Sequence, residues 1–285
     1  MISKPNSVIY KGMVFAGCSF TWGQGLYYYS NMPTLEEPPP DHYRSGLVRW
    51  THHKFQKTIR YPRLVSNHFN TFELTQNFNG GATHSIIEYW KERFKSAPNT
   101  SNAKSIDNSN RYYDYEDISH VFFQFTQPTR TELTITDEEG MKIGPLQRYQ
   151  FWEPHNLNAF INWLNKQNLT FEQFLHKSKQ DDVTNIKEFL QNFESHGIKT
   201  AVLTWPNDMV EYIKADPWMA ERFIQLEHNG STWDSIEKLM EIHPELTINS
   251  DFEYFTQPPK DHHPSLKCHR IMADAIIKYL GSTQK

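Results

Sequence analysis

Four apolar residues, Met13 to Ala16, run into Gly17-Cys18-Ser19-Phe20-Thr21, and far down the chain Asp261-His262-His263-Pro264 stands before a long helical stripe. Serine, histidine and aspartate are the parts of a hydrolytic triad. A serine hydroxyl attacks a carbonyl only when a base within hydrogen-bond reach takes its proton and a third group fixes that base's tautomer. Ser19 is the candidate nucleophile, His263 the base and Asp261 the orienting carboxylate. His262 competes with its neighbour for the base, and Asp251 or Glu253 can stand in for the acid. Each also has a plainer reading, since Gly-x-Ser sequences form ordinary turns and Asp or His often leads a helix.

These groups need a scaffold that brings them to one place. A strand ending in a tight glycine turn presents a side chain at the carboxyl edge of a sheet, where open α/β folds bind their ligands. Val8 to Ala16 reads as such a strand. Pro62 suits the first turn of a helix reaching about Phe69, and Phe72 to Phe78 reads as the second strand. The grammar of the Ser19 region then repeats: Asn79-Gly80-Gly81-Ala82-Thr83 leads into a helix marked by Ile86, Ile87, Trp90 and Phe94. Ile118 to Phe125 is nearly continuously apolar, as a central parallel strand buried on both faces should be. Thr131 to Ile143 reads as a hairpin, and helical patterns fill much of Leu157 to Phe193. A fourth strand spans Lys199 to Trp205. Helices then follow, including Trp233 to Ile242, and a last helix from Ser265 to Leu280 ends at Gly281. Strands alternating with helices predict a parallel sheet covered on both faces. No repeat or linker stands out, so one domain over residues 1–285 is expected, with insertions at about 27–57, 96–117 and 131–152.

Composition narrows the chemistry. The 285 residues carry 29 basic and 33 acidic side chains, a net charge of -4, which gives no general attraction to nucleic acid. No run reaches the ~18 apolar residues of a membrane helix. Lys4, Pro5 and Lys11 interrupt any signal-peptide core, and Phe15-Ala16-Gly17-Cys18 lacks the hydrophobic segment that precedes a lipoprotein cleavage box. The two cysteines make no disulfide framework and fit a reducing compartment. His42, His52, His53, His262, His263 and His269 lack a metal-binding spacing, so neither metal nor cofactor is expected. Cytoplasm or a virus particle is the expected location.

In this order, the motifs resemble the SGNH or GDSL hydrolases, and more narrowly their divergent phage and environmental-bacterial members. Gly17-Cys18-Ser19 matches the first family block, with Cys18 where the family has Asp. Asn79-Gly80-Gly81 matches the second, and Asp261, His263 and Pro264 the last. The resemblance favours His263 over His262, because the family histidine directly precedes the proline. It implies a three-layer α/β/α fold with a flavodoxin-like sheet and ester hydrolysis through an acyl-enzyme on Ser19. It also implies an oxyanion hole from the backbone N–H groups of Ser19 and Gly81, with Gly80 nearly as well placed.

The sequence departs from the family at two points. The third block's Asn is missing after strand three, so Thr126 or Gln127 would supply the remaining donor, and Asp261 and His263 are two residues apart where three is commoner. Arg130 and Trp205 follow strands three and four and are candidate substrate contacts; both also have structural readings, as a hairpin brace and as core packing. The expected partner is a small-molecule or glycan ester, with nucleic acid and membrane excluded. An acyltransferase with the same triad, or a binding module of this fold without turnover, are the rival functions.

Overall fold

The structure is a computed structural model and describes residues 11–18, 21, 26, 57–75, 82–94, 113–127, 133–136, 142–146, 154–251 and 263–282. Four strands form the central sheet: β1 (Gly12–Ala16), β2 (Phe72–Thr75), β3 (Ile118–Phe125) and, after a hairpin of β4 (Leu133–Thr136) and β5 (Lys142–Leu146), β6 (Lys199–Thr204). Their spatial order is β2-β1-β3-β6, with every pair parallel. Beyond β6, Phe223 forms a parallel bridge to Val202, whose backbone exchanges hydrogen bonds with Arg222 and Ile224 at 2.9 Å. The resulting order is the flavodoxin-like one, and the chain's winding reverses between β1 and β3.

Because successive side chains of a strand face opposite ways, an apolar strand feeds two cores at once. Met13 and Phe15 of β1, Phe122 of β3 and Ala201 and Leu203 of β6 face one layer. That layer contains α1 (Tyr61–His68), α7 (Ile236–Ile242) and, after the short α8 (Ile248–Asp251), α9 (Leu266–Ser282). Val14, Ala16, Val121, Phe123, Phe125 and Val202 face the other. There lie α2 (Thr83–Arg93), α4 (Phe171–Glu194), α5 (Val210–Ala215) and α6 (Pro217–Ala220). The chain is therefore a three-layer α/β/α protein. A satellite cluster joins α3 (Pro154–Lys166) to the start of α4 through Phe160, Leu164 and Phe174.

Several boundaries differ from the sequence reading for local reasons. The helical pattern of 157–193 is two helices, because Thr170 begins α4 with a capping box: its hydroxyl accepts from Gln173 N and the Gln173 side chain accepts from Thr170 N. Trp233 is not helical. It ends β8 (Ser231–Trp233), which pairs with β7 (Leu226–His228) through a two-residue turn. Asn229 and Gly230 have φ of 50° and 75°, the left-handed pair that a type I′ hairpin turn requires. α9 begins after Ser265 and runs through Gly281 to Ser282. Within the expected insertion 96–117, Tyr115 stacks on Phe94 and on His196, with centroids 5.1 and 3.8 Å apart. Most of the 27–57 insertion lies outside the described residues. No helix among the described residues is long and apolar enough to cross a membrane.

Candidate active site

At the switch point, the carboxyl ends of β1 and β3 lie side by side, Ala16 in register with Phe123. Gly17 follows β1 there, and its glycine identity is dictated by space. A Cβ at Gly17 would stand 2.0 Å from Thr21 Oγ1 and 3.1 Å from Gln124 Cβ. The backbone can therefore turn back on itself only where no side chain intervenes.

Thr21 belongs to a buried polar cluster beneath this turn. Its hydroxyl donates to Gln124 Oε1 at 2.8 Å, and the Tyr61 hydroxyl lies 3.0 Å from Thr21 Oγ1 and 3.1 Å from Gln124 Oε1. Burial raises the Tyr61 pKa, so its proton stays on the hydroxyl. Gln124 is 1% exposed, and among the described residues its buried Nε2 has no hydrogen-bond partner. An unmade buried amide hydrogen bond costs about 1–3 kcal/mol, and groups left that way in a folded chain call for an explanation such as function.

Tyr61 also connects this turn to the last helix. Its backbone N–H donates to His269 Nδ1 at 3.2 Å, and the two rings stack with centroids 5.8 Å apart. The contact fixes His269 as the tautomer protonated on Nε2. Burial first, then the neighbouring His263 and Arg60, push the His269 pKa down to about 3, so the ring is neutral. Arg60, immediately before α1, is anchored to the sheet by Thr75 Oγ1 at 2.7 Å and by an ion pair with Glu73. Arg63 braces the same carboxylate at 2.7 Å. This cluster fixes the start of α1 and hence Tyr61.

His263 is half-buried one turn before α9. Its carbonyl accepts from Ile248 N at 3.0 Å, Pro264 bridges Thr247, and Ser265 N donates to Leu246 O at 2.7 Å. A short antiparallel contact thus holds the base candidate in place from both sides. Thr126 directly follows β3 and is 1% exposed, whereas Gln127 beside it is exposed. Trp205 is 8% exposed, with its ring in the core layer of α7 and α9; its backbone joins Phe125 O to Glu237 N. Ser19, Asp261, Gly80, Gly81, Arg130, His262 and Glu253 lie outside the described residues, as does the side chain of Asp251.

Sequence reasoning missed Gln124, Tyr61, Thr21 and His269. One signal was available: Gln124 is a polar residue inside an otherwise apolar doubly buried strand end. Asp182 of α4 was also missed. It is 9% exposed beside Thr83, the first residue of α2, and burial pushes its pKa up to about 7. Two cavities of the described residues lie elsewhere: about 600 Å³ between α2 and α4, and about 220 Å³ at the amino ends of β3 and β6 beside His120 and Lys199.

No family model matches the chain. No curated protein matches it either. A solved structure described by the words "The active site of a carbohydrate esterase displays divergent catalytic and non-catalytic binding functions" aligns with 96% of this chain at 13% identity and a TM-score of 0.37. The alignment takes in 65% of that protein's length, so the chain spans less than two thirds of its structural neighbour, and a likeness of this size assigns no residue and no substrate.

Proposed function

We propose that the chain is a serine esterase of SGNH type that removes acyl groups from O-acyl esters, with carbohydrate esters as the substrate class. One observation carries the reading. The turn after β1 and the first turn of α9 are joined by a continuous buried path, Thr21 to Tyr61 to His269, at the switch point of the sheet. One residue separates Ser19 from Gly17 and one from Thr21, and His263 is close enough to depress the His269 pKa. The neutrality of His269 matters here, since a second imidazolium beside His263 would oppose the charge that the base acquires.

In this reading Ser19 Oγ attacks the ester carbonyl carbon while His263 accepts its proton. The tetrahedral oxyanion is held by the backbone N–H groups of Ser19 and Gly81, and by Thr126 or Gln127. Collapse expels the alcohol, protonated by His263, and leaves an acyl-serine that water hydrolyses by the reverse proton route. Asp261 holds the imidazole. Arg130 is the proposed polar contact to substrate. Trp205 would serve through its backbone position between β3 and α7.

The test is covalent labelling of folded protein by a fluorophosphonate, with the modified peptide mapped by mass. Labelling at Ser19 that disappears in His263→Ala, together with loss of p-nitrophenyl acetate turnover in Ser19→Ala, is expected. Absence of labelling in protein with a cooperative unfolding transition overturns the esterase reading and leaves a binding module of the same fold.

A further inference from the structure

We propose that His228, His243 and Glu245 form a binding site for a divalent transition-metal ion of the zinc type. The inference is independent of the esterase reading. His228 ends β7 at the hairpin turn, His243 follows the last residue of α7, and Glu245 lies in the short 3-10 turn Pro244–Leu246. Fourteen residues of chain separate the two histidines, yet one ligand atom from each of the three side chains falls within 4.8 Å of the others.

The detailed geometry suits an ion. Glu245 Oε1 lies 3.1 Å from His243 Nδ1 and 3.8 Å from His228 Nε2. Ligands about 2.0–2.2 Å from a tetrahedral metal stand about 3.4 Å apart, so these spacings bracket the required edge. His228 is 9% exposed, and among the described residues its buried Nε2 has no hydrogen-bond partner while facing the Glu245 carboxylate at 3.8 Å. In the tautomer that carries its proton on Nδ1, that nitrogen offers a lone pair directed at the Glu245 side, where a metal ion can accept it.

The surroundings hold the ligands ready. The two imidazoles meet edge to face at 4.7 Å, and Trp233 packs edge to face on His243 at 5.4 Å. His243 Nδ1, 3.1 Å from Glu245 Oε1, presents a lone pair to an ion when the ring proton sits on Nε2. Two neutral histidines and one carboxylate are a donor set that zinc accepts with water in the fourth position. Glu245 is 47% exposed, which leaves a solvent side for that water. Lys267, exposed on the first turn of α9, is the cation facing this cluster, and its charge opposes the ion from the solvent side.

The site also has a mechanical position. Glu245 is followed at once by Leu246, Thr247 and Ile248, the residues that hold His263 to Ser265. An ion here ties the β7–β8 hairpin to the segment that carries the base candidate.

The experiment uses the full chain, stripped with a chelator and dialysed, then titrated with zinc chloride and separately with cobalt chloride. One equivalent of zinc is expected to bind at micromolar or tighter affinity and to raise the melting temperature by several degrees. Cobalt is expected to give the visible absorption of a four- or five-coordinate centre. Glu245→Gln and His243→Ala, both at partly exposed positions, should each weaken zinc binding at least tenfold while the metal-free proteins unfold as cooperatively as the parent. No zinc bound at 50 micromolar, or variants that bind it as tightly as the parent, overturns the proposal; the second result would place the ion on other histidines.

Discussion

Substituting Gly17 by alanine should damage both stability and the proposed site, and the structure supplies the size of the effect. The new Cβ would stand 2.0 Å from Thr21 Oγ1 and 2.9 Å from Thr21 Cβ, far inside contact distance. Thr21 is buried and cannot swing into solvent. It must move within the core, giving up its donation to Gln124 and its contact with the Tyr61 hydroxyl. Overpacking costs about 1–3 kcal/mol, and two lost hydrogen bonds add about 1 kcal/mol each. A total of about 3–5 kcal/mol is a large part of a typical folding free energy of ~5–15 kcal/mol. In urea, with a slope of about 2–3 kcal/mol per molar, the midpoint should fall by about 1–2 M. Thr21→Gly removes both clashing atoms, so G17A/T21G should be more stable than G17A alone, a non-additivity that only direct contact produces. A G17A midpoint within 0.2 M of the parent, or no recovery in the double variant, would refute the packing argument.

Asp182→Asn should change the pH dependence of stability. The folded carboxyl titrates near 7 against an ordinary 3.8, so between about pH 4 and 7 the unfolded chain loses a proton that the folded chain keeps, and stability falls as pH rises. The penalty is complete above pH 7, and the variant should recover at most ~4 kcal/mol there; parallel urea midpoints from pH 4 to 8 would remove Asp182 from the account. Gly230→Ala forces a Cβ into a φ of 75° and should cost about 1–2 kcal/mol, measured as a lower urea midpoint. Thr170→Ala removes one half of the α4 capping box and should cost about 1 kcal/mol. The same variant should speed amide exchange in the first turn of α4 and leave α9 unchanged.

Much of the fold was legible because the central strands are apolar on both faces. Met13 to Ala16 and Val121 to Phe123 announce themselves as buried parallel strands, and β3 matches its expected span. α9 was equally plain from its stripe. The β7–β8 hairpin was not recognised although Asn229-Gly230 is its chemical signature, because each strand is only three residues long and shows no alternation. The seam between α3 and α4 was hidden for another reason: Leu164, Leu169 and Phe174 keep the apolar period running through the break, and Thr170 reveals it only as a cap. At the site, the triad candidates could be named from residue types and order. The supporting cluster could not, since Thr21, Tyr61 and Gln124 meet only after α1 has folded over the sheet. The three candidate metal ligands escaped because a hairpin and a 3-10 turn bring them together, with no helical or Cys-pair spacing to mark them.

The parallel pairing at the middle of the sheet has a consequence for how the protein is made. Thr21 and Gln124, which seal the end of the β1–β3 pair, are 103 residues apart in the chain. At a synthesis rate of about 5–20 residues per second, β1 leaves the ribosome roughly 5–20 seconds before its central partner. During that interval Met13 to Ala16 have no sheet to join on the β3 side, and β2 can offer only an exposed edge pairing. Central β1–β3 closure over such a distance is also entropically slow. Nascent chains of this protein therefore pass through a defined window in which an apolar strand waits uncovered, and chaperone dependence should be greatest for chains arrested between the end of β2 and the end of β3.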